Sequence, residues 1–254
     1  MHVLITNDDG IHAEGIQVLC KYLLRLGSVC VVAPERERSA TGHGITMHKP
    51  LRVTEVKMKY VDISGYAVSG TPADCVKLAL EALMPETPDV IVSGINLGAN
   101  LGTDILYSGT VSAAIEGTIA GVKSLAVSLD TESAYPDFTH PAEFTAGLAK
   151  VYSEKDFPPD TLINVNIPDL PWEQIKGVKI SKLGYRRYID SIEERKDPRG
   201  RSYFWLAGEI ADDDSDPDTD SNTVKQEMIS VCPVHFDLTK YDIIEQIRSW
   251  DITK

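Results

Sequence analysis

The chain has 254 residues, 43% hydrophobic and 25% charged, which is room for one large α/β domain or two small ones of ordinary globular composition. Its 38 acidic and 25 basic residues give a formal net charge of −13, which argues against a nucleic-acid polymer or an anionic membrane as partner. A small anionic substrate stays admissible, because a local cation outweighs acidic surface charge that is screened over about 10 Å. No charged-then-apolar leader and no bilayer-length apolar run is found, so the expected setting is the cytoplasm. Cys20, Cys30, Cys75 and Cys232 are scattered in apolar contexts without a CxxC pair, which points to core packing rather than zinc or disulfides.

The first predicted element is a strand, HVLITN, and it runs straight into Asp8, Asp9 and Gly10. Asp-Gly is ordinary turn chemistry. Two adjacent carboxylates also repel unless a cation or a proton neutralises them, which makes a metal site the second reading. GIQVLCKYLLRLG follows as an amphipathic helix closed by Gly27, then SVCVVAP as a second strand. The loop ERERSATGHGITMHKP precedes two extended segments, LRVTEV and YAVSG. TPADCVKLALEALM begins with Thr71 as N-cap and Pro72 at the first helical position. PDVIVSG is a buried strand, SGTVSAAIEGTIAG a small-residue helix capped near Ser108 or Thr110, SLAVSL a strand, PAEFTAGLAKVYSE a helix and TLINVNIP a strand.

This alternation predicts an α/β fold: a Rossmann-like, mainly parallel sheet with helices on both faces. After Pro171 the pattern changes. GVKISKLG, SYFWLAGE and EMISVCPVH read as strands without intervening helices, and DIIEQIRSW as a short helix. The expected organisation is a catalytic core over residues 1–171 and an extension over 172–254, with hairpin arms that can pair with another subunit. The acidic run Asp212–Asp220 imitates a calcium loop, but Pro217 replaces its glycine and Thr223 its closing glutamate, so a solvated, mobile loop is expected.

Ligands of open α/β sheets bind beyond the carboxyl ends of the strands. Asp8 and Asp9 follow strand one, Ser39 lies in the loop after strand two, Asn96 lies just beyond PDVIVSG, and Ser108, Gly109 and Thr110 open the next helix. Taken singly, these are turn residues and helix caps. Together they bring two carboxylates and neutral oxygen donors suited to Mg²⁺ or Mn²⁺ to one edge, beside a helix start that offers hydroxyls and free N–H groups to a phosphate. His43 is a candidate for substrate contact or proton transfer, with a structural role as the alternative. Arg36, Arg38 and Lys49 are candidate helpers for an anion. Tyr185–Tyr188 (YRRY) suits either base stacking or a subunit contact. No GxxxxGK[ST] loop or strand-linked GxGxxG is present. The Cys30-x5-Arg36 spacing falls inside an apolar strand without the glycines a thiol phosphatase loop needs, and reads as chance.

Five segments in order, NDDG, ERERSATGHGIT, SGTPADCV, SGINLGANLG and YSGTVSAAIEG, spread over residues 1–121, resemble the SurE survival-protein family of metal-dependent nucleotidases. The resemblance implies a single divalent cation and hydrolysis of nucleoside 5′-monophosphates, with 3′-nucleotides or polyphosphate as further substrates. By position it assigns Asp8, Asp9, Ser39 and Asn96 to the metal, and Ser108, Gly109 and Thr110 to the phosphate. Asp8, Asp9 and Asn96 are the expected catalytic residues, and attack by water or by an aspartate is left open. It also implies dimers or tetramers formed through the C-terminal extension, although CPVH stands where the family usually has Thr-Pro. The rival readings are a metal-gated nucleotide-binding oligomer without turnover and a nucleotide-sugar transferase.

Overall fold

The first half builds β1 (His2–Thr6), α1 (Glu14–Leu23), β2 (Ser28–Pro34), β3 (Val53–Lys57), β4 (Ser64–Val68), α2 (Pro72–Leu78), β5 (Val90–Leu97) and α3 (Gly109–Ile119). The second half builds β6 (Ser124–Asp130), α4 (Thr139–Glu154), β7 (Thr161–Pro168), β8 (Val178–Ile180), β9 (Arg186–Ile189), β10 (Ile192–Lys196), β11 (Ser202–Leu206), β12 (Glu209–Asp212), α5 (Asp220–Lys225), β13 (Ile229–His235) and α6 (Ile244–Arg248). This computed structural model describes residues 1–189, 192–206, 208–212, 215–250 and 252. Asp213 and Asp214 of the acidic run lie outside the described residues.

The alternating side chains of β1 explain the layers. Val3 and Ile5 face a core that includes Ile16 and Leu19 of α1 and Ala142 and Ala149 of α4. Leu4 faces the opposite core with Cys75 and Val76 of α2 and Ala113 of α3. Burial on both faces is why the strand reads as an unbroken apolar run. The sheet has nine strands in the order β3-β4-β2-β1-β5-β6-β7-β13-β8. β1 pairs in parallel with both β2 and β5, β5 with β6, and β6 with β7, whereas β3 and β13 run antiparallel to β4 and β7. The expected α/β class and two-sided helical cover are therefore present. The chain winds outward from β1 to β2 and β4, then returns to β5 and winds the other way, so the switch point lies between the carboxyl ends of β1 and β5.

The boundary expected at 171/172 is not a break in the sheet, because β8 and β13 complete it. What stands apart is the pairing of β9 with β12 and of β10 with β11, in one common register, Arg186 opposite Asp212 and Ile192 opposite Leu206. The helix predicted from Thr71 keeps α-geometry only to Leu78 and widens to a π-turn over Ala79–Leu83. Its start follows the prediction: Thr71 and Asp74 form a reciprocal capping box with Pro72 at the first position. The solvated loop expected after Asp212 is corrected at its end. Thr219 caps α5 through Asn222 N–H, and Asp220 is fully buried.

Candidate active site

Asn7 sets the turn after β1. Its side chain accepts from Gly10 N–H at 3.2 Å and donates to the Gly10 carbonyl at 2.9 Å, and Gly10 takes a φ of +100° that other residues resist. The turn reading of Asp-Gly is thus correct as far as it goes, and it presents Asp8 and Asp9 at the switch point. The Asp8 carbonyl accepts Arg38 N–H at 2.7 Å, tying the loop after β2 to the same place.

Asp8 is 5% exposed, and burial pushes its carboxyl up. The Thr110 hydroxyl donates to its Oδ1, and the Thr110 and Gly109 backbones partly offset that rise. Asp9 is pushed up to about 7, first by burial and then by the charge of Asp8, with Glu37 adding to the rise. Only Leu97 N–H, 3.0 Å from Asp9 Oδ2, works against it. Two adjacent carboxyls raised by burial, one of them further raised by the other's charge, are relieved by a proton or by a cation. Among the described residues no three His, Cys, Asp or Glu side chains gather at one point, so further donors must be neutral oxygens. An Asp pair with amide and hydroxyl oxygens is the donor set of a hard divalent cation, and the residues present fit one.

Asn96 lies at the end of β5, just past a register shift between Ser93 and Asn96 against β6. Its Nδ2 donates to the Gly98 carbonyl at 2.7 Å, which keeps Oδ1 for another partner. Its neighbour Leu97 is the residue that bonds Asp9, so Asn96 shares the edge with the carboxylates. Ser39 follows Arg38 in the loop held to Asp8, and its hydroxyl donates to Glu37 Oε1 at 2.6 Å.

The start of α3 meets Asp8 directly. Ser108 is its N-cap, accepting Val111 N–H at 3.1 Å, as the capping alternative anticipated. A Cβ on Gly109 would lie 2.7 Å from Asp8 Cβ and 2.8 Å from its Oδ2, so only glycine lets the helix end come this close. His43 is placed further along α3, with Nε2 2.9 Å from Glu116 Oε2. It lines an apolar groove of about 390 Å³ with Leu106, Ser112 and Ile115 rather than meeting Asp8. Arg36, His48 and Lys49 are exposed, whereas the Arg38 guanidinium donates to the Ser69 carbonyl at 2.8 Å. The Cys30 thiol is pushed up to about 11 by burial, the reverse of what a thiolate nucleophile needs.

Residue-by-residue reading missed the contacts that hold the segment from Asn96 to Ser108. Asn100 is buried and receives the amides of Asn164 and Asn166 on its carbonyl, each at 2.9 Å, while its own Nδ2 donates to Ser128 Oγ. Asn164 and Asn166, two amides inside the apolar run of β7, were the available signal, since buried amides seek partners. Asp220 of the acidic run and Tyr188 of YRRY also reach this segment, at Gly102 and Asp104.

The family model described as Survival protein SurE matches residues 3–190. The chain is 56% identical over 250 residues to the 5′-nucleotidase SurE of Moorella thermoacetica, covering 98% of this chain and 96% of the relative. Identity to the 5′-nucleotidase SurE of Heliobacterium modesticaldum is 52% over 250 residues, covering 98% and 92%. The fold is similar to the crystal structure of a SurE protein from Aquifex aeolicus, with a TM-score of 0.84, 38% identity and 98% of each chain covered.

Proposed function

This chain belongs to the SurE survival-protein family, and on that premise we propose that the edge between β1 and β5 is the centre of its phosphatase chemistry. The protein is a 5′-nucleotidase, a hydrolase that releases phosphate from nucleoside 5′-monophosphates. Asp8, Asp9, Ser39 and Asn96 hold one divalent cation, Mg²⁺ or Mn²⁺, and Ser108, Gly109 and Thr110 receive the phosphate. The observation that carries this reading is the adjacent carboxyls of Asp8 and Asp9, both raised by burial, with Asp8 packed against the first turn of α3.

The cation supplies Lewis acidity to the phosphoryl group. The chain's own residues do the rest. Asp8 and Asp9 provide the negative charge that holds the cation, and the Thr110 hydroxyl fixes the direction of the Asp8 carboxylate. The α3 N-terminus offers positive partial charge to the phosphoryl oxygens as their charge spreads in the transition state. The Leu97 N–H, 3.0 Å from Asp9 Oδ2, fixes the direction of the Asp9 carboxylate. His43 serves at the rim of the site through its bond to Glu116. The protein works in the cytoplasm as a dimer or tetramer, and 3′-nucleotides and polyphosphate are further substrates.

The test is phosphate release from a panel of nucleoside monophosphates with EDTA, Mg²⁺ or Mn²⁺, for wild type and Asp9→Asn. Metal-dependent release that falls by about 100-fold or more in the variant is expected. Release that survives both EDTA and the substitution would remove the cation from this reading.

A further inference from the structure

The segment between Asn96 and Ser108 carries the phosphate-binding turn at its far end; β6 and β7 hold it at Asn100, and the part next to the turn is held from beyond the first seven strands. Asp220, at the start of α5, is fully buried. Its Oδ2 accepts Gly102 N–H at 2.7 Å, and its Oδ1 accepts Gly184 N–H and Ser221 N–H, each at 2.9 Å. The next residue, Thr103, donates its hydroxyl to the Arg186 carbonyl at 3.0 Å. The one after, Asp104, takes Tyr188 Oη at 2.5 Å and Arg186 Nη1 at 3.3 Å on its Oδ2. Three consecutive residues of this segment are therefore each bonded to a part of the chain beyond residue 180. The approach is close: Gly102 has a φ of +54°, and a Cβ there would lie 2.9 Å from the Gly184 carbonyl oxygen.

From this anchor the backbone leads to the catalytic turn without slack. Residues Gly102–Leu106 form a 3₁₀ turn, Tyr107 N–H donates to the Asp104 carbonyl at 2.9 Å, and Ser108 N–H to that of Ile105 at 3.3 Å. Ser108 then caps α3, whose Gly109 and Thr110 touch Asp8. The Tyr107 carbonyl also accepts Gly42 N–H at 3.1 Å, so the loop bearing Ser39 hangs from the same turn.

We propose that the extension beyond residue 180 is a positioning element of the active site, in which Asp220, Arg186 and Tyr188 clamp Gly102–Asp104 and so fix where Ser108–Thr110 stand relative to Asp8. Asp220 and Tyr188 are positioning residues; neither touches the reacting atoms. The proposal rests on the nucleotidase reading of that site. Its energetic logic is that a displacement of about 1 Å between reacting groups costs up to about 100-fold in rate, although substrate still binds.

The experiment measures kcat and KM for phosphate release from a nucleoside monophosphate, Mn²⁺ affinity by calorimetry, and Tm, in Asp220→Asn, Thr103→Val and Tyr188→Phe. Tyr188 is 47% exposed, so its phenylalanine variant folds without a buried polar group to re-partner. The expected result is a kcat lowered about tenfold in Asp220→Asn and about threefold in each of the other two. KM shifts less than kcat, because the Ser108–Thr110 turn keeps its donors, and Mn²⁺ affinity stays within about twofold, because Asp8, Asp9 and Asn96 sit at the ends of β1 and β5. Tyr188→Phe keeps the wild-type Tm while losing rate, which a merely stabilising residue would not do. Wild-type kcat in both Thr103→Val and Tyr188→Phe overturns the proposal, whatever Asp220→Asn does. So does a rate loss that only follows the unfolded fraction. Failure of the wild type itself to release phosphate in a metal-dependent way would instead strike the nucleotidase reading beneath it.

Discussion

At residue scale the informative group is Asp9, whose carboxyl is pushed from 3.8 up to about 7 by burial and by Asp8. Between these values the folded chain keeps a proton that the unfolded chain has lost, so without metal this residue makes stability fall as pH rises through that window. Above about pH 7 the folded chain holds the Asp9 charge, and the whole penalty of that group applies. A divalent cation reverses the logic, since it competes with the proton and binds more weakly as pH falls below about 7. Melts of chelated protein should show a lower Tm at pH 8 than at pH 5. Asp9→Asn should flatten that slope and raise the pH 8 Tm by a few degrees, about 2 kcal/mol or less, while ending turnover. A slope unchanged by the substitution would assign the pH effect to other groups. The same residue scale shows the limits of side-chain identity. Asp220 looks like a member of a solvated acidic run, but a buried carboxylate that accepts three backbone N–H groups is a structural clasp.

At the scale of elements, the start of α3 joins stability to chemistry. Ser108 satisfies one of the helix's orphan N–H groups, and Gly109 makes room for Asp8. Ser108→Ala should cost about 1 kcal/mol of stability through the lost cap, and lower activity beyond what that loss explains. Gly109→Ala should be more severe in rate, because its methyl would collide with the Asp8 side chain rather than with a flexible chain end. Thermal melts and phosphate release on the two variants separate these effects. Equal losses of rate and stability in both would leave the close approach of α3 to Asp8 without a catalytic role. The element that sequence periodicity failed to show, α5, is short at Asp220–Lys225 and carries no apolar stripe. Its residues are buried by hydrogen bonding, with Thr219 and Asn222 tied to the Asp216 carbonyl, and such burial leaves no hydrophobic period to read.

At the scale of the whole molecule, the paired strands β9 to β12 stand outside the nine-stranded sheet and expose Phe204, Trp205 and Leu206 at 63%, 58% and 87%. Neighbouring large apolar side chains left in water mark an association surface. The oligomer expected of the extension is accordingly tested there. Trp205→Ser with Leu206→Asp should shift the protein toward smaller assemblies in analytical ultracentrifugation, with the metal-dependent activity of the protomer retained. An unchanged sedimentation coefficient would place the subunit contact elsewhere. Among the described residues no helix is long and apolar enough to cross a membrane.

The strand and helix alternation over residues 1–171 was legible because both faces of β1, β5, β6 and β7 are buried, and burial writes itself into sequence as apolar runs and amphipathic periods. The candidate site was legible for a related reason: Asp8 and Asp9 follow β1, Asn96 lies at the end of β5 and Ser108–Thr110 open the helix that comes next, so the order of elements alone sends them to one edge. Their mutual distances were not legible. Only the tertiary structure decided that Gly109 lies against Asp8, that Ser39 turns to Glu37, that His43 joins Glu116, and that Asp220 and Tyr188 hold a segment more than 80 residues away in sequence. Polar contacts between distant residues leave no period in the chain, since hydrogen bonds depend on where two backbones meet, and that is fixed by packing after the apolar pattern has set the fold.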